Sequence, residues 1–172
     1  LESNDSSSRL NLGLGATLKC VAATHHDGII VANGDDHFVL DSLQDTDASV
    51  ILVSMSRDTP NLKRHLESGG LGVWVERGDF WIGSAKNAIR FGRVNQFPLT
   101  FDGEAPFNIK NIMLAAGTLH AIGVDIPTIQ QVFSSFRAAW DILPASMNLY
   151  TYNDARVVID QLAPAWILKD VQ

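Results

Sequence analysis

The chain has 172 residues, 46% of them hydrophobic and 19% charged, the balance of a globular protein with a core to bury. A net charge of −6 and a pI near 5.2 argue against a broad surface for nucleic acid or anionic membrane. No apolar run approaches the roughly 20 residues that span a bilayer, no signal-peptide pattern opens the chain, and the single cysteine, Cys20, excludes an internal disulfide and favours a reducing, cytoplasmic setting.

Residues 1–11 are polar and serine-rich and read as a loop. Leu12 to Ala23 favours a helix carrying Lys19 and Cys20, despite Gly13 and Gly15. Asp27-Gly28 turns into the apolar run GIIVAN, the composition of a strand buried on both faces, which ends at Gly34-Asp35-Asp36. A helical HFVLDSLQ follows, then a second buried strand from Ser49 to Met55. Thr59-Pro60 starts a short helix through His65, and Gly69-Gly70 stops it. Helix, strand, helix, strand, helix is the rhythm of an α/β sheet.

The rhythm then changes. Gly72 to Ser84 carries two β-prone runs around Arg77-Gly78-Asp79, a hairpin pattern, and another extended run covers Ala88 to Phe101. Beyond a turn at Asp102, Gly103 and Pro106, the residues Ile109, Ile112, Met113, Ala116, Leu119 and Ile122 recur at helical spacing. Asn108 stands where an N-cap belongs and Gly123 where a C′ glycine would end the helix. Asp125 caps a second helix with Pro127 in its first turn and Ile126, Ile129, Phe133 and Phe136 on one face. A connection this short makes the pair a helical hairpin laid over something apolar. After Phe136 come a loop with Pro144, an extended Met147–Tyr152, a turn at Asn153-Asp154, a strand Arg156–Ile159 and a helical start over Ala165–Val171. The expected fold is α/β: a mainly parallel sheet flanked by helices, a small antiparallel hairpin region, and the start of a second α/β unit. The boundary falls between 1–144 and 145–172. The chain opens on leucine and is expected to be a piece of something longer.

Five stretches, in order, carry a family resemblance: DGIIVANGDD (27–36), HLESGGLGVWVERGDFWI (65–82), PLTFDGEAPFNIKNIMLAAGTLHAIGV (98–124), LPASMNLY (143–150) and RVVIDQLAP (156–164). Together they resemble the central domain, and the beginning of the C-terminal domain, of the ATP-dependent Mur ligases, in the cyanophycin-synthetase branch. The resemblance implies an acid–amino-acid ligase that uses ATP and Mg2+ to make an acyl phosphate, which an amine then displaces; in that branch arginine is joined to aspartate side chains. It implies amino-acid or peptide-like substrates, and admits a homo-oligomer. The phosphate-cradling GxxGKT/S loop that this chemistry demands is not in the sequence, and the family order puts it upstream.

By the same resemblance, Lys19 falls near the lysine that lies beside the metal and the acyl phosphate. Asn108 and Asn111 match paired asparagines, the second of which approaches adenine; an amide offers both a donor and an acceptor to a base edge. Asp160 matches an aspartate that reaches the nucleotide. Without the family, these are a solvated helix lysine, an N-cap with a first-turn polar residue, and an acid closing a strand. Departures matter too. Ala145-Ser146 replaces a Gly-Arg whose guanidinium would hold phosphates, Gln161 to Pro164 replaces Tyr-Ala-His-Asn-Pro, and Asn4-Asp5-Ser6 lacks an expected histidine. They support an alternative, a degenerate non-catalytic structural or interaction module. His25-His26-Asp27 has no second cluster to make a metal site; Asp35-Asp36 is expected to end its strand by Asx turns. His65 and His120 are expected to be structural, and Trp74, Phe80, Trp81 and Trp140 to be packing aromatics.

Overall fold

The computed structural model describes residues 15–144 and 146–160. The serine-rich start, Asn4–Ser6, Ala145 and the helical expectation over Ala165–Val171 lie outside the described residues. The first helix is described as α1 over 15–23. Five strands then form one sheet in sequential order: β1 (Ile29–Asn33), β2 (Ser49–Ser54), β3 (Leu71–Glu76), β4 (Asp79–Gly83) and β5 (Ala88–Arg93). β1, β2 and β3 are parallel neighbours, linked through α2 (His37–Ser42) and α3 (Pro60–Glu67), whereas β3–β4 and β4–β5 are antiparallel.

The antiparallel hairpin is thus a continuation of the parallel sheet. Its two-residue turn, Arg77 (φ 53°) and Gly78 (φ 77°), has the left-handed pair that matches strand twist in a type I′ hairpin. Alternation along β2 shows why the run VILV is apolar throughout. Ile51 and Val53 join the core on one face, Leu52 and half-buried Val50 the core on the other.

The larger core lies under α4 (Pro106–Ala121) and α5 (Ile126–Ser135), which bring Ile109, Ile112, Met113, Ala116, Ile129 and Phe133 against the sheet. Phe80, Phe91 and Phe97 stack there with ring centroids 5.2 to 6.2 Å apart, and Phe133 closes over Phe97 at 5.7 Å. Burying each such ring is worth about 1.5–3 kcal/mol. Leu62 and Leu66 of α3 cover Trp74 on the opposite face. Trp140, expected to pack, is instead 54% exposed.

Two further expectations change. Pro98–Gly103 is a distorted 3-10 turn, so the extended run stops at Arg93. Pro98 favours the turn, and buried Thr100 closes it by donating its hydroxyl to Val94 O (2.6 Å) and Phe97 O (2.8 Å). Secondly, α4 begins at Pro106 with Ala105 as its N-cap, so Asn108 is the third helical residue and not the cap. Its other end follows expectation: Gly123 (φ 86°) donates to His120 O and Val124 to Leu119 O, each at 3.0 Å, a Schellman closure. Asp125 caps α5 by accepting the Thr128 N–H at 2.9 Å. A separate antiparallel pair, β6 (Asn148–Tyr152) and β7 (Ala155–Ile159), turns at Asn153-Asp154, and buried Asn148 donates to Ala138 O and Leu143 O.

Candidate functional site

Ligands of open α/β sheets bind beyond the carboxyl ends of the parallel strands. Here that edge holds Gly34-Asp35-Asp36 after β1 and Met55–Thr59 after β2. The chain leaves β1 tightly, Gly34 N–H donating to Val53 O at 2.7 Å; a Cβ at Gly34 would lie 2.7 Å from Leu52 Cγ. The two aspartates then diverge. Asp36 caps α2, its Oδ1 accepting the N–H groups of Phe38 (3.0 Å) and Val39 (3.4 Å). The Asp35 carboxylate spans to β2, accepting the Ser54 hydroxyl at 2.5 Å and the Met55 N–H at 3.0 Å. Its backbone N–H meets Asn33 Oδ1 at 3.1 Å, an Asx turn two residues before Asp35, and the Phe38 N–H bond to Asp36 Oδ1 is the Asx turn expected of the aspartates. Ser54 is fully buried and also lies 2.8 Å from Thr59 Oγ1, so this edge is a connected polar network.

The first turns of α4 meet the same edge. Lys110 Nζ is 3.7 Å from Asp35 Oδ2. Asn108, no longer a cap, donates Nδ2–H to Leu99 O at 2.8 Å and ties the 3-10 turn to the helix. Asn111 is exposed; its Nδ2 reaches Asn108 Oδ1 at 3.5 Å, the outer limit of a hydrogen bond. The two asparagines are therefore neighbours, one engaged in structure and one turned to solvent with amide capacity to spare.

The remaining expected residues are elsewhere. Lys19 is exposed on α1, which leads into the amino-terminal edge of β1. Its neighbour Leu18 lines a cleft of about 640 Å³ with His25, Ser42 and Asp45–Asp47, at the sheet edge opposite Asp35. Asp160 follows β7 and accepts the Met147 N–H at 3.2 Å, an interaction within its own hairpin. His25 Nδ1 and Asp27 Oδ1 pair at 2.5 Å, both exposed. Among the described residues no group of three or more His, Cys, Asp or Glu could hold a metal ion. His65 is structural as expected, its Nε2–H shared between Val50 O (3.1 Å) and Leu71 O (3.0 Å).

Lys110 and the Asp35–Ser54–Thr59 network carried no local sequence signal, since residues 35, 54, 59 and 110 share no motif spacing. Only the rule that strand ends gather function could have grouped them.

Comparison with known proteins adds an independent line. Cyanophycin synthetase of Trichormus variabilis is 31% identical over 147 residues, covering 84% of this chain and 16% of that protein. Cyanophycin synthetase of Geminocystis herdmanii is 31% identical over 160 residues, 87% of this chain and 18% of its own length. That of Synechocystis sp. is 29% identical over the same length, with the same coverage. The chain thus spans less than one fifth of the length of the curated relatives it matches. No family model matches it.

Proposed function

The chain is related to the cyanophycin synthetases over most of its length, and from that premise we propose that it is a segment of an ATP-dependent, amide-bond-forming acid–amino-acid ligase. In this reading residues 1–144 are part of an ATP-binding central domain and 145–172 open a C-terminal domain. One observation carries the proposal: the adjacent amides of Asn108 and Asn111 on α4, beside the carboxyl edge of the parallel strands. Asn108 is spent on Leu99 O and fixes the turn. Exposed Asn111 is left to offer a donor and an acceptor to an adenine edge, the combination that distinguishes a base from generic apolar contact.

ATP would supply the activating phosphoryl group; this segment's part is to bind and orient the base, and its residues make no bond in the reaction. The segment alone is expected to turn nothing over. Magnesium belongs to the phosphate end of the site in this reading, away from the described carboxylates, and no step here runs through it. Lys19 and Asp160 enter on the resemblance alone, as a lysine beside the acyl phosphate and an aspartate toward the nucleotide. Amino-acid or peptide-like acceptors follow from the same relationship.

The test is calorimetric titration of ATP with magnesium into the longest natural chain containing this segment, and into its Asn111→Ala variant. Loss of a hydrogen bond to the base is expected to weaken binding about fivefold to tenfold. Failure of the unaltered chain to bind ATP, with its fold intact by circular dichroism, overturns the ligase reading. The altered Ala145-Ser146 and Gln161–Pro164 stretches would then mark a non-catalytic interaction module.

A further inference from the structure

The start of α4 is built without the usual supports. Its N-cap, Ala105, makes no side-chain cap bond, and no acidic residue lies in its first turn. The charged residue nearest the start within the helix is Lys110, a cation toward the end of the helix where the macrodipole favours anions. What holds this end instead is a pair of lateral ties. Asn108 binds Leu99 O on one side, and Lys110 pairs with Asp35 on the other.

The two partners of that ion pair differ in freedom. Asp35 is anchored, its carboxylate already held by the Ser54 hydroxyl and the Met55 N–H and its backbone by Asn33. Ser54 Oγ in turn accepts from the Thr59 hydroxyl at 2.8 Å and the Ser56 N–H at 3.4 Å. Lys110 is the member with the longer, freer side chain, on a helix whose N-cap makes no side-chain bond. Position is therefore transmitted from the carboxyl ends of β1 and β2, through Asp35, to Lys110 and the turn that carries Asn111.

We propose that Asp35 is a positioning residue for the nucleotide edge: acting through Lys110, it sets where the first turns of α4 stand, and so where the Asn111 amide meets the base. The inference rests on the ligase reading above. Asp35 touches no ligand in this account. It presents a fixed anchor, and the ion pair converts that anchor into the lateral position of a helix start.

The experiment uses the same natural chain and measures ATP affinity by calorimetry for Asp35→Asn, Lys110→Met, their double variant and Lys110→Arg, alongside thermal melts. Each single change is expected to weaken ATP about twofold to fivefold, the scale of a half-exposed ion pair. The double variant should be no weaker than the worse single, because the two residues act as one unit, and Lys110→Arg should restore affinity. The difference from the unaltered chain should shrink between about 0.05 M and 0.5 M salt as the pair is screened, a dependence that simple loss of fold stability would not show. Asp35→Asn also leaves one of the two donors, the Ser54 hydroxyl or the Met55 N–H, facing an amide NH2 and risks the fold. Lys110→Met leaves that network untouched, and with Lys110→Arg decides the matter alone. Unchanged affinity in Lys110→Met, while Asn111→Ala weakens ATP, overturns the positioning role and leaves the ligase reading standing. Absence of ATP binding by the unaltered chain removes both.

Discussion

Asp79, at the first position of β4, receives the Arg90 guanidinium at 2.8 Å and lies 3.5 Å from Arg93 Nε. The hydrogen bond from Arg90 holds its carboxyl below the usual range against the opposing effect of burial, and the Arg90 and Arg93 charges add to it. Asp125 is lowered as well, first by the Thr128 N–H and then by the Thr128 hydroxyl. A carboxylate depressed in the folded state stabilises fully above its unfolded pKa of about 3.9 and ceases to do so as pH falls through the lower folded value. Asp79→Asn is therefore expected to lower the melting temperature at pH 7 and to flatten its decline below about pH 4. Melts at stepped pH that retain the full acid decline in this variant would remove Asp79 from the account. Individual residues were unevenly legible. Asp125 could be read as a cap because an aspartate stood one residue before a helical run with proline inside its first turn. Asn108 was misread because asparagine also suits a cap, while Pro106, two residues earlier, already marked the true start. The Asp35–Lys110 pair was invisible, for it joins positions that only the folded sheet brings together.

α4 shows what governs an element once its ends are fixed. At Gly117 a Cβ would approach Val31 Cγ1 to 2.8 Å, so the helix rides close over β1 because that position has no side chain. Gly117→Val should cost about 1–3 kcal/mol through overpacking, read as a lower denaturant midpoint at an unchanged slope. A stability equal to that of the unaltered chain would mean that helix and strand part freely. The helical hairpin itself was readable, since three- and four-residue spacing, the Gly123 closure and the Asp125 cap all agree. The stretch before it was not. Pro98–Phe101 is rich in strand-forming residues, yet the Thr100 hydroxyl reaches back to Val94 O and Phe97 O and bends the chain into a turn. The following Phe101 and Asp102 take positive φ of 52° and 62°, a conformation that an aromatic residue adopts only when its surroundings impose it.

At the scale of the molecule, the sheet order follows from alternating helices and apolar strands, while the joining of the hairpin to the parallel part depends on β3 pairing on both sides. No helix among the described residues is long and apolar enough to cross a membrane. The β6–β7 ribbon stands apart from this order. On one of its faces Tyr150 is opposite Val157, Tyr152 is opposite Ala155, and Ile159 lies beside them; Tyr152 is 71% exposed and Tyr150, Val157 and Ile159 about 40% each. A two-stranded ribbon of this kind is marginal alone, and backbone edges that no strand among the described residues pairs can template further strands. The consequence is colloidal. The 172-residue chain is expected to sediment as a population that grows with concentration, whereas Tyr152→Lys with Val157→Lys should sediment as one small species at every concentration. A homo-oligomer that disappears with those two lysines would report the stickiness of a bare ribbon, and one that survives them would locate its contacts on another face of the protein.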